Sequence, residues 1–214
     1  QPYLDAPGKT GLMVNDTAWL RKKIIEADSA GLQVAIHAIG DRANDFILSV
    51  YEEAENTNGK RDRRFRIEHA QHLTAGAINK FFKLHVIPSM QAIHLVDDGC
   101  WAWKRIDADR IGRTYAFRDL LDSKANLTLG SDWDVASINP MEGIYAAVTR
   151  RTSDGKNPSG WVPQQKISVE EALKCYTVNS AYAGFFENKT GKLKVGFLAD
   201  FVVLSDDLFT IDAV

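Results

Sequence analysis

Cysteine is scarce in this sequence. Two cysteines occur among 214 residues, Cys100 and Cys175, and no CxxC spacing is present. A disulfide framework needs more cysteines than this, and a cysteine-ligated zinc site needs them closer together. Both kinds of stabilising cross-link are therefore excluded, and a reducing compartment is the expected environment.

An excess of charge of one sign is also absent. Lysine and arginine number 26 against 28 acidic residues, a formal net charge of −2. This balance gives no electrostatic reason to expect binding to nucleic acid or to a membrane surface. The most basic stretch, residues 60–64, lies between a helix pattern and a strand pattern, and we interpret it as a solvated loop.

Long apolar runs are missing as well. No stretch reaches the ~20 apolar residues that a membrane-spanning helix needs, and no signal-peptide pattern opens the sequence. We therefore expect a cytoplasmic protein whose partner is a small-molecule substrate, with no nucleic acid and no membrane involved.

The sequence does contain alternating strand and helix patterns. A short apolar run rich in β-branched residues predicts a strand at residues 32–37, and similar short runs predict strands at residues 65–69, 86–91 and 126–130. Helical spacing of apolar residues predicts helices at residues 16–31, 42–55, 74–84 and 109–123, and another from residue 139 onward. This alternation predicts a parallel sheet covered by helices. It leaves open whether the sheet is open or part of a closed barrel.

The pattern changes in the C-terminal part of the chain. Ser168 and Glu171 form a capping box that opens a helix to about residue 182. Residues 191–196 and 199–204 then resemble two strands of a separate β-rich unit, with Phe201 and Val203 sharing a face. The predicted division is into residues 1–188 and residues 189–214.

Polar side chains occur where the predicted strands end. His37 closes the first strand and His69 the second, while Asp132 lies just past the fourth. Gln91 ends the third strand, and His94 follows three residues later. In a (β/α)₈ barrel the active site is built at this end of the strands, and two imidazoles with a carboxylate suit Zn²⁺. The alternative, ordinary core and turn residues, stays open on the pattern alone.

Several motifs in order carry a family resemblance. The segments HAIGDRA, RIEHAQ, SMQAIH and GSDWDV resemble family 3 amidohydrolases, in the branch related to N-substituted formamide deformylases; they occupy residues 37–43, 66–71, 89–94 and 130–135. Two later segments are similar too, at residues 171–183 and 190–204. The resemblance implies an α/β fold of the (β/α)₈ TIM-barrel type. This chain would be its C-terminal half, strands five to eight, with part of a small β-sandwich-like domain.

The resemblance also implies roles for individual residues. His37, His69 and Asp132 would be the metal ligands, and Asp132 would also be the catalytic base that takes a proton from the attacking water. His94 would be catalytic as a donor to the substrate carbonyl or the developing oxyanion. The implied substrate-binding residues are His94, Gln91, Trp133, Asp41 and Arg42. For Arg42 a surface salt bridge is an equally good interpretation. The implied cofactor is one or two divalent metal ions, with Zn²⁺ the first choice.

The implied reaction is hydrolysis of an amide-like, non-peptide C–N bond by metal-activated water. Two alternatives stay open at this point. One is another reaction of the same superfamily, hydrolysis of a cyclic amide or deamination. The other is a non-catalytic domain derived from a barrel and used in assembly.

The sequence also departs from the family pattern. Its histidines are at positions 37, 69, 72, 85 and 94, so the His-x-His pair of the first barrel strand is missing. Asp134 stands where family members often have proline. We therefore expect a fragment that binds metal weakly and turns over little substrate by itself. A half barrel of this kind can also pair with a second copy as a homodimer.

Overall fold

The computed structural model describes residues 1–212 and contains one parallel sheet of four short strands. The strands are β1 (Ala35–Ala38), β2 (Arg66–His69), β3 (Ile87–Met90) and β4 (Thr128–Leu129). They lie side by side in chain order, and each neighbouring pair is parallel. The predicted α/β architecture, with four adjacent parallel strands, is confirmed.

Helices connect the strands and cover the sheet. Within the described range they are α1 (Thr17–Ser29), α2 (Asp41–Asn58), α3 (Ala75–Lys83), α4 (Leu95–Asp98), α5 (Ala108–Ile111), α6 (Phe117–Asp122), α7 (Pro140–Thr149), α8 (Val169–Tyr176) and α9 (Val178–Ala183). Short 3₁₀ turns occupy Ala92–His94, Ala102–Lys104 and Pro163–Gln165. Among residues 1–212, no helix combines the length and the apolar character that crossing a bilayer requires.

Helix starts follow the capping residues that the sequence displays. The side chain of Asp16 accepts a hydrogen bond from the backbone N–H of Trp19 at 2.7 Å. Ser168 and Glu171 form both hydrogen bonds of the predicted capping box. Each such cap satisfies a backbone N–H that the helix leaves unpaired, and is worth about 1 kcal/mol.

Two predicted helices are each split in two. The helix expected at residues 109–123 is α5 followed by α6, because Tyr115 between them has a φ of 49° that a helix cannot contain. The helix expected to run to residue 182 is interrupted at Thr177, where φ is −117° and ψ is −81°. Apolar spacing continues across both breaks, so periodicity alone predicts a single helix in each place.

The core lies between the sheet and the helices. Ile67 of β2, Leu48 of α2, Phe81 of α3 and Leu120 of α6 are fully enclosed, each at 0% exposure. Burying an aliphatic or aromatic side chain of this size contributes about 1.5–3 kcal/mol. The sheet is therefore held by helix packing on a continuous apolar layer.

The basic stretch at residues 60–64 is a loop that is solvated only in its first part, since residues 60–62 are exposed. Arg63 and Arg64 are each only 8% exposed. Arg63 binds the carboxylate of Asp28, with 2.9 Å between Nε and Oδ1, and Arg64 binds Glu187, with 2.8 Å between Nη2 and Oε1. The interpretation as a solvated loop holds for residues 60–62 and is wrong for Arg63 and Arg64, because carboxylates distant in sequence compensate their charges and allow burial.

The two strands predicted at residues 191–196 and 199–204 are not formed. Residues 184–212 contain neither helix nor strand, and Val195 and Val203 are 99% and 87% exposed. A strand needs a neighbour to satisfy its backbone N–H and C=O groups, and within residues 1–212 none lies alongside this segment. The predicted β-rich unit is thus not confirmed. The division at residues 188 and 189 stays a prediction, and residues 213–214 lie outside the described residues.

Candidate metal centre

Three side chains with metal-binding atoms meet at the carboxyl ends of the strands. His69 is the last residue of β2, His94 ends the 3₁₀ turn after β3, and Asp132 follows β4 by three residues. One ring nitrogen of each histidine and one carboxylate oxygen of Asp132 all lie within 4.8 Å of one another. Parallel strands in consecutive order bring their ends to one edge, which explains how residues far apart in sequence converge.

His94 and Asp132 are in direct contact. Nε2 of His94 lies 3.0 Å from Oδ2 of Asp132, a hydrogen-bond distance. Both side chains are partly accessible, at 25% and 30% exposure. The contact with His94 uses Oδ2 of Asp132, so Oδ1 remains for a different interaction.

His37 lies at the same end of the sheet but outside this group of three donors. Its ring centroid is 4.4 Å from that of His69, and the two rings are inclined at 69°. In the close group, His94 stands where the family resemblance would put His37. His69 and Asp132 belong to both ligand sets, so the two sets differ only in the third residue.

The donors stand on unusual backbone. His69 and Asp132 have positive φ angles of 73° and 59°, and Ala70 follows His69 with a φ of 44°. This left-handed region costs a residue with a Cβ about 1–2 kcal/mol. Such conformations persist when the surrounding structure holds them, and they cluster at functional sites. Two of the three donors therefore depend on neighbouring segments for their orientation.

Electrostatics favour a neutral imidazole at His69. Burial lowers the pKa of His69, and the adjacent His37 lowers it further, while Asp132 acts in the opposite direction. A neutral imidazole keeps the lone pair with which histidine binds a metal ion. His69 is thus in the correct state for coordination at neutral pH.

The spacing of the donors fits a divalent cation. Zn²⁺ binds histidine nitrogen and carboxylate oxygen at about 2.0–2.2 Å, which places two ligand atoms about 3.3 Å apart in a tetrahedral site. The His94–Asp132 contact of 3.0 Å already has nearly this spacing. The other pairs, within 4.8 Å, need to close by at most about 1.5 Å. Nitrogen and oxygen donors without thiolate also suit Zn²⁺.

Gln91, predicted to bind substrate, is buried at the end of β3. It is 6% exposed, and its Nε2 donates to the carbonyl of Ser89 at 3.2 Å. Its Oε1 is buried and has no hydrogen-bond partner within the described residues. An unsatisfied buried acceptor costs about 1–3 kcal/mol, so this oxygen is able to accept a hydrogen bond that residues 1–212 do not donate.

Three other residues were predicted to bind substrate, and they differ in their surroundings. Asp41 accepts from Nε of Arg110 at 2.9 Å and from the backbone N–H of Arg42 at 2.7 Å, so it holds the loop after β1 in place. The side chain of Arg42 is exposed. Trp133, next to Asp132, is 68% exposed and presents its ring to solvent. The structure brings none of these three into the group of donors.

Sequence reasoning missed a half-buried carboxylate close to the donors. Oδ2 of Asp98 accepts a hydrogen bond from the hydroxyl of Tyr115 at 2.6 Å and another from Nε2 of Gln71. Burial raises the pKa of Asp98, partly opposed by the hydrogen bond from Tyr115. The position of Asp98 four residues after His94 was the one available signal.

His72 lies beyond the end of β2, outside the donor group. Its Nδ1 is 2.9 Å from the hydroxyl oxygen of Thr114. Burial lowers the pKa of His72 to about 4, and the positive charge of Arg110 lowers it as well, against the effect of Asp41. The folded protein therefore resists a proton that the unfolded chain accepts at the ordinary pKa of about 6.5.

We expect His72 to make the folded protein less stable in acid. The folded pKa lies below the unfolded one, so the contribution is complete above about pH 6.5 and is lost progressively as the pH falls toward 4. Urea denaturation at about pH 7.5 and about pH 5 would measure this change in wild type and in His72→Asn. The wild type should lose more free energy of unfolding between the two pH values than the variant. Equal losses of unfolding free energy in wild type and His72→Asn would contradict a lowered pKa of His72 in the folded protein.

Comparison with known proteins identifies the family of this chain. The sequence profile described as the amidohydrolase family matches residues 1–214. This chain belongs to the amidohydrolase family. It is 47% identical over 206 residues to the protein LONG AFTER FAR-RED 3 of Arabidopsis thaliana, covering 96% of this chain and 35% of that protein.

Two bacterial proteins extend the similarity. The chain is 34% identical over 212 residues to YtcJ of Bacillus subtilis (strain 168), which is described as an amidohydrolase. The match covers 99% of this chain and 40% of YtcJ. It is 27% identical over 192 residues to the N-substituted formamide deformylase of Arthrobacter pascens, covering 86% of this chain and 33% of that enzyme. The amidohydrolase chain thus spans two fifths or less of the length of these relatives.

Solved structures resemble the chain over nearly all its length. An uncharacterized metal-dependent hydrolase from Pyrococcus horikoshii OT3 has a TM-score of 0.86 at 30% identity, covering 100% of this chain and 42% of that one. A second, from Pyrococcus furiosus, has a TM-score of 0.81 at 33% identity, covering 97% and 40%. The sheet and its helices are therefore arranged as in proteins described as metal-dependent hydrolases.

Proposed function

We propose that the protein containing this chain is a metal-dependent hydrolase that cuts an amide-like, non-peptide C–N bond in a small molecule. We further propose that the chain provides strands five to eight of a (β/α)₈ barrel. One observation carries the proposal: His69, His94 and Asp132 bring three ligand atoms within 4.8 Å at the carboxyl ends of parallel strands. That edge is where barrel enzymes build their active sites.

The ligands that we propose for the cation are His69, Asp132 and one further histidine. His94 is favoured over His37 as that residue, because it lies in the close group and contacts Asp132 at 3.0 Å. When bound, a divalent cation such as Zn²⁺ supplies an activated water and polarises the scissile bond. Binding of one or two such ions would draw the donors together from their present spacing.

Asp132 is the proposed proton acceptor. One of its oxygens faces Nε2 of His94, and the other is free to take the proton of the attacking water. When Nε2 of His94 carries a proton, it can donate to Asp132 or to a substrate carbonyl oxygen as negative charge develops there. The contact between the two side chains thus supports either a ligand role or a donor role for His94.

The bond class is supported by a relative of the chain. The similarity to an N-substituted formamide deformylase points to the same class of bond. Substrates with a secondary amide next to a small acyl group are therefore the first to assay.

We expect metal removal to abolish hydrolysis of N-substituted formamides by the full-length protein. Dialysis against a strong chelator should remove activity, and added Zn²⁺ should restore it, because the activated water depends on the cation. His69→Ala is the matched variant, since His69 belongs to both ligand sets, and it should stay inactive when Zn²⁺ is added back. Activity that survives chelation would contradict the proposal.

A further inference from the structure

Behind the donors lies a hydrogen-bonded cluster made of Gln71, Asp98 and Tyr115, which we call the Asp98 cluster. Oδ2 of Asp98 receives both the hydroxyl of Tyr115, at 2.6 Å, and Nε2 of Gln71. Gln71 follows His69 by two residues, and Asp98 ends the helix that begins directly after His94. One carboxylate therefore joins the segment after β2 to the segment after β3.

Backbone contacts reinforce this connection. The N–H of Tyr115 donates to the carbonyl of Gln71 at 2.8 Å. Arg150, at the end of α7, donates from Nη1 to the carbonyl of Tyr115 at 2.9 Å and from Nη2 to the carbonyl of Thr114 at 3.1 Å. Arg150 is fully buried. Arg150 therefore attaches the end of α7 to the cluster, in addition to the segments after β2 and β3.

The contacts of Gln71 with Asp98 and Tyr115 constrain the backbone next to His69. His69 and Ala70 both have left-handed backbone, with φ angles of 73° and 44°. Two such residues in succession favour relaxation to an ordinary conformation, and that change would turn the His69 ring away from His94 and Asp132. The bonds from Gln71 to Asp98 and to Tyr115 come immediately after these two residues, where they oppose relaxation.

We propose that Asp98 is a positioning residue that sets the spacing between His69 and His94 for metal binding. Asp98 is not one of the three donors and acts through Gln71 on one side and helix α4 on the other. The inference rests on the metal-binding function proposed above. Residues that orient metal ligands typically change metal affinity about 10–100-fold when replaced. The indirect connection here places Asp98 near the lower end of that range.

The test compares Asp98→Asn and Tyr115→Phe with Glu187→Gln. Glu187 is a suitable control because its carboxylate also receives two side-chain hydrogen bonds, both from Arg64 at 2.8 Å, at the opposite end of the sheet. Titration with Co²⁺ would give the dissociation constant, and the visible absorption of bound Co²⁺ would report its coordination geometry. We expect about tenfold weaker binding and an altered spectrum in both cluster variants, with neither change in Glu187→Gln.

A second readout separates the positioning role from metal binding itself. In the metal-free chain, the imidazole ¹H–¹⁵N NMR signals of His69 and His94 should shift in Asp98→Asn and Tyr115→Phe, but not in Glu187→Gln. Wild type that binds no Co²⁺ would count against the proposed function, while these signals would still decide the role of Asp98. If Asp98→Asn fails to fold, Tyr115→Phe, which loses one hydroxyl, decides instead. Folded cluster variants with wild-type affinity, spectrum and histidine signals would overturn the inference.

Discussion

Asp132→Asn should lower the rate of hydrolysis by the full-length protein about 10²–10⁴-fold, the usual contribution of a positioned general base. The amide keeps the size of the carboxylate and can still lie 3.0 Å from Nε2 of His94, but it has no oxygen basic enough to accept a proton from water. The quantity to compare is kcat/KM, with the metal content of wild type and variant measured alongside. Loss of metal would add to the loss of the base, and the metal measurement separates the two.

Asp122→Asn is the control for this substitution. Asp122 is an exposed residue of α6 that pairs with Arg118 at 3.3 Å, and we expect its replacement to leave kcat/KM unchanged. The assignment of Asp132 as the base would be wrong if Asp132→Asn retained the wild-type rate. It would also be wrong if both variants lost activity equally.

Asp28→Ala should lower the free energy of unfolding by about 3–5 kcal/mol, the usual result of removing one partner of a buried ion pair. Asp28 is 2% exposed and receives Arg61 at 2.6 Å and Arg63 at 2.9 Å. Burial raises the pKa of Asp28, but hydrogen bonds from Arg63, Asn58 and Arg61 together outweigh it and hold the pKa below its usual value. Without the carboxylate, Arg63 stays buried with an uncompensated charge. Urea denaturation near neutral pH would measure the loss.

Asp62→Ala provides the comparison for that measurement. Asp62 also binds an arginine of the same loop, Arg64 at 2.9 Å, but it is 55% exposed. Exposed ion pairs contribute about 0–1 kcal/mol, so the loss should stay within that range. Equal destabilisation by the two substitutions would contradict the distinction between a buried and an exposed pair.

Local sequence was sufficient to predict most regular elements. Strands such as β3 are indicated by consecutive β-branched residues, Val86 just before its start and Ile87 at its start, and helices such as α8 begin at capping residues whose bonds involve only their neighbours. These signals are contained in a few consecutive residues. The parallel order of the strands then follows from the connecting helices, because a crossover of that length returns the chain in the same direction.

Features that depend on distant partners could not be predicted. The segment at residues 199–204 has the composition of a strand, yet composition does not supply the neighbour with which a strand must pair. The arginines at 63 and 64 resemble a solvated run until Asp28 and Glu187, which lie 35 and 123 residues away in sequence, are brought against them.

The candidate site also combines residues that the local sequence predicts with residues that depend on distant contacts. The convergence of His69 and Asp132 could be predicted, because each lies at or just past the end of a strand and the family motifs contain both. The sequence gives no reason to prefer His94 over His37 as the third donor, since that depends on how the turn after β3 folds back toward Asp132. Asp98 was missed because its partners, Gln71 and Tyr115, lie 27 and 17 residues away.

Whether His69, His94 and Asp132 together bind a divalent cation is tested most directly by titrating the metal-free chain with Co²⁺, in parallel with His69→Ala. We predict saturable binding in wild type, with the visible absorption of cobalt bound by nitrogen and oxygen ligands. This signal should be absent in His69→Ala, which loses a ligand common to both ligand sets. No saturable binding in wild type, or the same affinity and spectrum in the variant, would contradict this prediction.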